Sequence, residues 1–340
     1  MWLLNEMHGK RILLLGTVLV LAALGYMVTT QYYQSTPIAD KSNPEELFDR
    51  INNDDPDVYE PAVLELAERG SEALIAVIPR LKDDNQFGKV IAVLEQHDIS
   101  KLIPIEKPVV KANQGGEKKV LIVTGHEYPG HLWQRTAPAL VDILAEDARL
   151  EVSYVEDPRI LAQPELNNYD VIFLNYQNHQ VPAPQGALNN LKQVIKGGKG
   201  LVLFHFASGA FIDWETRQLN TEFAEIAGRA WNPDLPGHDP RGPFKVRITD
   251  TEHPITKGLS DFETIDELYT CLDGTVPIQV LAKATSIMDN EDHPMAFVHK
   301  AGNGRVFHSP LGHDLEALND PVKELYRRGT QWAAKLEVDD

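Results

Sequence analysis

An α/β fold with a doubly wound, mostly parallel sheet is predicted by three observations in the chain beyond Lys118. Short, wholly apolar runs recur there, as in strands buried on both faces. Amphipathic helical segments separate them, giving the alternation of a doubly wound sheet. Polar residues, histidines above all, follow directly on the carboxyl ends of the runs, the edge at which open α/β sheets bind ligands.

Taken in order, the runs at 120–124, 152–155, 171–175 and 201–204 read as strands, with helices expected at 133–145, 187–195 and 216–226. The later stretch is richer in strands and turns. Runs at 244–248, 278–281, 295–298 and 305–307 either extend the sheet or form an antiparallel edge, and a helix over 322–336 closes a domain spanning 118–336.

The preceding chain has a different texture. Lys10 and Arg11 stand before an uncharged apolar stretch, 12–28, long enough to span a bilayer, with Trp2, Tyr32 and Tyr33 where interfacial aromatics belong. No convincing A-x-A-like site follows, so residues 1–34 read first as an uncleaved anchor, with a signal segment cleaved on secretion as the alternative. The positive flank then places the rest of the protein outside the cytoplasm. Residues 42–106 read as short amphipathic helices resembling a HEAT-type pair, with Pro44 at a helix start and Arg69-Gly70 at a stop. Such a unit usually needs a neighbour, which makes it a candidate contact for a protein partner. Residues 107–117 read as a linker by composition.

Composition narrows the classes. With 50 Asp and Glu against 32 Lys and Arg, a net charge of -18 and no basic cluster, nucleic acid is excluded as a partner. Hydrophobic residues at 43% suffice for a sizeable core. A single cysteine, Cys271, rules out an internal disulfide and an all-cysteine zinc site.

The expected strand ends gather one polar set: His126 and His131 after the first, Asn175, Tyr176 and His179 after the third, His205 after the fourth, and His308, His313 and Asp314 after the last. Of the 12 histidines only His8 and His97 fall outside the α/β region, which points to acid–base or metal capacity in a shared crevice. A lone histidine beside a strand is commonly structural; the convergence carries the inference.

The segments Gly228-Arg-Ala-Trp-Asn-Pro-Asp-Leu-Pro-Gly-His-Asp-Pro-Arg-Gly-Pro243, Glu252-His-Pro-Ile-Thr-Lys-Gly-Leu259, Asp266-Glu-Leu-Tyr269 and Gly304-Arg-Val-Phe-His-Ser-Pro-Leu-Gly-His-Asp314 resemble, in that order, the trehalose-utilisation (ThuA-like) family. The resemblance covers roughly residues 118–334. It implies a flavodoxin-like sheet of the class I glutamine amidotransferase type and a role around sugars or their keto derivatives.

Amidotransferases of this fold carry a cysteine on the sharp turn after a central strand. Here His205 stands at that turn and Cys271 does not, so thiolate chemistry on glutamine is not expected; Cys271 reads as a small buried residue. His205, His313 and Glu267 are the candidate acid–base residues. His126, His131, Asn175, Trp214, Trp231, Tyr269 and Asp314 are the candidate substrate contacts. Trp214 and Trp231 are singled out among the loop aromatics for stacking on a pyranose face. Asp266 and Glu267 would point to different sides, one to the site and one to an arginine such as Arg241 or Arg247, and Asp314 would orient His313. Zinc or another divalent ion would suit such a set, although no HxH or HExxH spacing demands it. The expected function is therefore binding and transformation of a carbohydrate by hydrolysis, elimination or isomerisation. A non-catalytic sugar-binding or scaffold module lacking the cysteine nucleophile is the alternative.

Overall fold

The computed structural model describes residues 43–339, and the chain divides into two compact units between Pro104 and Ile105. The first unit carries α1 (Pro44–Ile51), α2 (Pro56–Glu68), α3 (Ser71–Val77) and α4 (Asp84–Gln96). Their starts are written in the sequence. Asn43, Asp55 and Asp83 each accept a first-turn backbone N–H through the side chain, and Pro44 and Pro56 occupy positions where a missing N–H costs nothing. Leu47, Ile51, Val63, Leu66, Leu74, Val90 and Leu94 form its core. No helix among the described residues is long and apolar enough to cross a membrane; the anchor expected at 12–28 lies outside them.

The second unit is built on a ten-stranded sheet of order β1-β3-β2-β4-β5-β12-β11-β10-β7-β8. Its centre is parallel: β3 (Leu150–Val155), β2 (Lys118–Val123), β4 (Val171–Leu174), β5 (Gly200–Phe204) and β12 (Gly304–Ser309). β1 (Val109–Ala112) adds antiparallel at one edge. At the other, β11 (Asp292–Ala301), β10 (Gln279–Thr285), β7 (Gly242–Ile248) and β8 (Phe262–Asp266) continue antiparallel. β6 (Ala230–Trp231) and β9 (Leu272–Asp273) pair separately.

The central strands alternate between two apolar layers. Val120, Ile122, Phe173, Phe204 and Phe307 face α5 (Trp133–Ala145) and α8 (Asp320–Ala333); Leu121, Val123, Ile172, Leu174 and Leu203 face α6 (Ala187–Lys196) and α7 (Thr221–Ala227). Burial on both faces explains why these strands read as unbroken apolar runs. The order β3-β2-β4 places the switch point between β2 and β4, so the crevice opens at the carboxyl ends of the strands where the histidines were expected.

Three differences from the sequence reading have physical causes. Residues 109–112, read as linker, form β1, a mostly exposed edge strand whose register shifts between Val110 and Ala112. The helix expected from 216 begins at Thr221, because Asp213 ties down the N–H groups of Glu215 and Thr216 in a turn and Asn220 caps the helix on Phe223 N. The strand β8 was not expected; only Phe262, Thr264 and Asp266 of its five residues are buried, so it carries the alternating pattern of an edge rather than an apolar run.

Candidate functional site

His205 follows β5 at a sharp turn with φ 42°, a left-handed backbone uncommon outside glycine. Parallel register between β5 and β12 pairs Phe204 with Ser309, so the next residues along each strand, His205 and Pro310, meet. His205 Nδ1 donates to Pro310 O at 2.6 Å, leaving Nε2 as the acceptor face; Tyr269 Oη donates to it at 2.9 Å. Burial pushes this imidazole down to about 4, against the pull of Glu267.

Glu267 lies at the centre. Its Oε2 is 3.3 Å from His313 Nδ1, 3.6 Å from His205 Nε2 and 3.7 Å from His131 Nε2, while Oε1 is 3.8 Å from His238 Nε2. Burial works against the carboxylate, yet the imidazoles of His131, His205 and His313 outweigh it and hold the group far below the usual carboxylate range. Conversely, Glu267 raises His313 above the ordinary histidine value, with burial opposing. The rings crowd together: His131 is 4.6 Å from His313 and 4.9 Å from His205, centroid to centroid.

The loops around the cluster are pinned from several directions. His131 Nδ1 donates to Tyr128 O at 3.2 Å and His238 Nδ1 to Asp239 O at 2.8 Å, so each directs Nε2 inward. Asp266 is fully buried and accepts N–H groups from Gly312, His313 and Glu267; burial pushes its carboxyl up to about 7 against those three donors. One carboxylate thus sets the backbone of both Glu267 and His313. Gly312 beside it has φ 116°, and a Cβ there would strike the Phe204 ring. Gly125, after β2, has φ 104° and lies so close to the Glu156 carbonyl that no side chain fits.

The structure brings His131, His205, Glu267, Tyr269 and His313 of the candidate residues together. Trp231 stands at their margin, half-buried, its ring edge-on to Tyr269 at 5.0 Å. Trp214 packs edge-on to His179 at 4.8 Å, in an aromatic group that includes Tyr128. His126 is buried and pushed down to about 4 by that burial and by neighbouring His179. Asn175 is buried at the end of β4, its amide donating to Thr136 Oγ1 at 3.2 Å, so it braces α5 against the sheet. Trp133, Tyr176, Phe206 and Phe211 are core.

Two expectations are corrected. Asp314 does not orient His313: it pairs with Arg241 at 2.8 Å and caps the N–H groups of Glu316 and Ala317, because the turn after β12 directs it outward. Nor does Asp266 take an arginine; Arg247 pairs with Asp292, and Asp266 is enclosed by backbone donors. His308 is structural, donating from Nδ1 to Ala227 O at 3.1 Å. Cys271 is buried and its thiol pushed upward by that burial, leaving it no thiolate character. His238, which stands in the 228–243 segment, was not singled out from the sequence; the bridge that pairs it with Tyr269 was not readable there.

A family model described as "ThuA: Trehalose utilisation" matches residues 119–333. Among solved structures, a thua-like protein from Parabacteroides merdae is similar at 24% identity and TM-score 0.56, over 66% of this chain and 92% of that one. A second thua-like protein, from Bacteroides uniformis, is similar at 20% identity and TM-score 0.52, over 67% and 95%. No curated protein matches the sequence.

Proposed function

The chain belongs to the ThuA family, and from that premise we propose that its strand-end crevice binds a sugar or keto-glycoside and transforms it by histidine and carboxylate acid–base chemistry. The observation that carries this reading is Glu267 ringed by His131, His205, His238 and His313 at the carboxyl ends of the sheet. A keto group makes the neighbouring C–H acidic and a glycosidic oxygen needs a proton to leave, so hydrolysis, elimination and isomerisation all call for one group that accepts a proton beside one that returns it. Imidazoles fixed by backbone carbonyls and set around one carboxylate supply both. Trp231, and Trp214 beyond His179, offer ring faces at the margin for a pyranose.

The proposal extends to location. An anchor at 12–28 would hold the crevice on the extracytoplasmic side, and the helical unit would meet a protein partner there.

The test is a screen of the purified chain against disaccharides and their keto derivatives, with Glu267→Gln as the comparison. Turnover lost in the variant with sugar binding retained supports catalysis. Binding without turnover in the unsubstituted chain would reduce the protein to a sugar-binding module, and no binding of any carbohydrate would overturn the proposal.

A further inference from the structure

We infer that His131, His205, Glu267 and His313 form a binding site for one borderline divalent transition ion, of the kind for which Zn2+ is the simplest probe. One donor atom from each lies within 4.8 Å of every other. The spacing is the argument. Glu267 Oε2 stands 3.3, 3.6 and 3.7 Å from the three ring nitrogens. Charge-assisted N–H···O bonds close to about 2.7–2.9 Å, so these separations are wider than such bonds, and Glu267 Oε2 has no hydrogen-bond partner. Zinc bonds to nitrogen and oxygen of about 2.0–2.2 Å give a tetrahedron whose edges are about 3.3–3.6 Å. The group has the dimensions of a coordination shell.

Tautomers point the same way. His131 and His205 spend their Nδ1 protons on the carbonyls of Tyr128 and Pro310. In the neutral ring each therefore presents Nε2 as an acceptor, that of His205 taking the Tyr269 hydroxyl, so neither has a proton to give Glu267 and a cation among them would be favoured. The carbonyls are the outer-shell partners that metal-ligating histidines use to fix their rings. His131 is more than nine-tenths buried, and its Nε2, like Glu267 Oε2 and His313 Nδ1, is buried with no hydrogen-bond partner. Buried polar atoms are seldom left so, and here three converge on one point.

Donor type selects the ion. Three imidazoles and one carboxylate oxygen suit Zn2+ or its transition-metal neighbours, whereas Mg2+ and Ca2+ require mostly oxygen. A zinc centre can expand to five ligands, which would admit a carbonyl or hydroxyl oxygen of the carbohydrate proposed above and polarise it. The inference about the ion does not depend on that step, since cation binding is read without any sugar.

The experiment is titration of the full chain, stripped with a chelator, with Zn2+ alone, followed by calorimetry, and with Co2+, followed by its visible absorption. One equivalent of Zn2+ is expected, undisturbed by excess Mg2+, with Co2+ giving the intense bands of a four- or five-coordinate site. Outer-shell changes at metal sites typically weaken binding 10–100-fold, so removing a ligand in Glu267→Gln or His131→Asn should exceed about 100-fold. Unchanged far-ultraviolet circular dichroism would establish that the variants fold. His293→Asn, a histidine paired with Asp289 away from the cluster, should bind as the parent does. Zn2+ affinity equal in parent and Glu267→Gln, or no Zn2+ binding by the parent, would overturn the inference. Carbohydrate turnover by chelator-stripped protein that binds no Zn2+ would do so while leaving the carbohydrate reading intact. Zn2+ binding as expected without any carbohydrate binding would instead defeat that reading alone.

Discussion

Nε2 of His205 faces Oε2 of Glu267 across 3.6 Å, although the two residues come from opposite halves of the sheet, one after a central parallel strand and one after an antiparallel edge strand. Their meeting defines the site. Replacing His205 by asparagine, which tolerates the left-handed backbone, should keep the fold and lower kcat/KM by at least about 100-fold, the usual worth of a positioned acid or base. Thermal melting beside steady-state kinetics checks this: a full-rate variant would remove His205 from the chemistry.

Asp266 holds three backbone N–H groups that shape both sides of the cluster. In Asp266→Asn the amide cannot accept all three, and buried donors left unmade cost about 1–3 kcal/mol each. With the Gly312 N–H left unmade, the variant should lose about 1–3 kcal/mol in urea unfolding and most of its Zn2+ affinity together. Stability matching the parent would show that the loop does not depend on this carboxylate.

Tyr269→Phe separates two roles of His205 Nε2. Without an ion, losing the phenol strands a fully buried acceptor, and stability should fall by about 1–2 kcal/mol. With saturating Zn2+ on Nε2 the same substitution should cost little. Equal losses in both states would mean that the ion does not use this nitrogen.

Trp231→Ala should raise KM about tenfold with kcat nearly unchanged, the signature of a contact made equally in ground and transition states. Its ring leans on Tyr269 without being enclosed. A fall in kcat at constant KM would move Trp231 into the reacting centre.

Buried histidines set the acid limit. Burial lowers His308 to about 3 and His126 to about 4. In the unfolded chain both titrate near 6.5, so below that pH the unfolded state binds more protons. Their contribution is whole above about 6.5 and drains away as pH falls through 6.5 toward 4 and then 3. His308→Gln, which can still donate to Ala227 O, should flatten the stability profile over that window by up to about 1.4 kcal/mol per pH unit. A profile as steep as the parent's would assign the acid loss elsewhere.

The parallel centre was legible because burial on both faces forces continuous apolar runs, and α5 was readable over its whole length for want of competing turns. His205 and His313 were readable as partners because both end neighbouring parallel strands, β5 and β12. What stayed hidden depended on distance along the chain. Glu267 was named beside them from its Asp-Glu-Leu-Tyr segment, but nothing local announces the edge strand that delivers it, or that Asp314, one residue past His313, will turn to Arg241 instead. Asn175 shows the other limit: its position after β4 was correct, but the side chain packs sideways onto Thr136.

The strand order also sets the two halves of the site in different parts of the sheet. His131 and His205 sit on connections of the parallel centre, whereas Glu267 follows β8, the outermost strand, with β11, β10 and β7 between it and β12. Any ligand gripping Glu267 and His205 at once is a clasp between the parallel centre and the antiparallel edge, so its binding should stabilise those two parts of the sheet together.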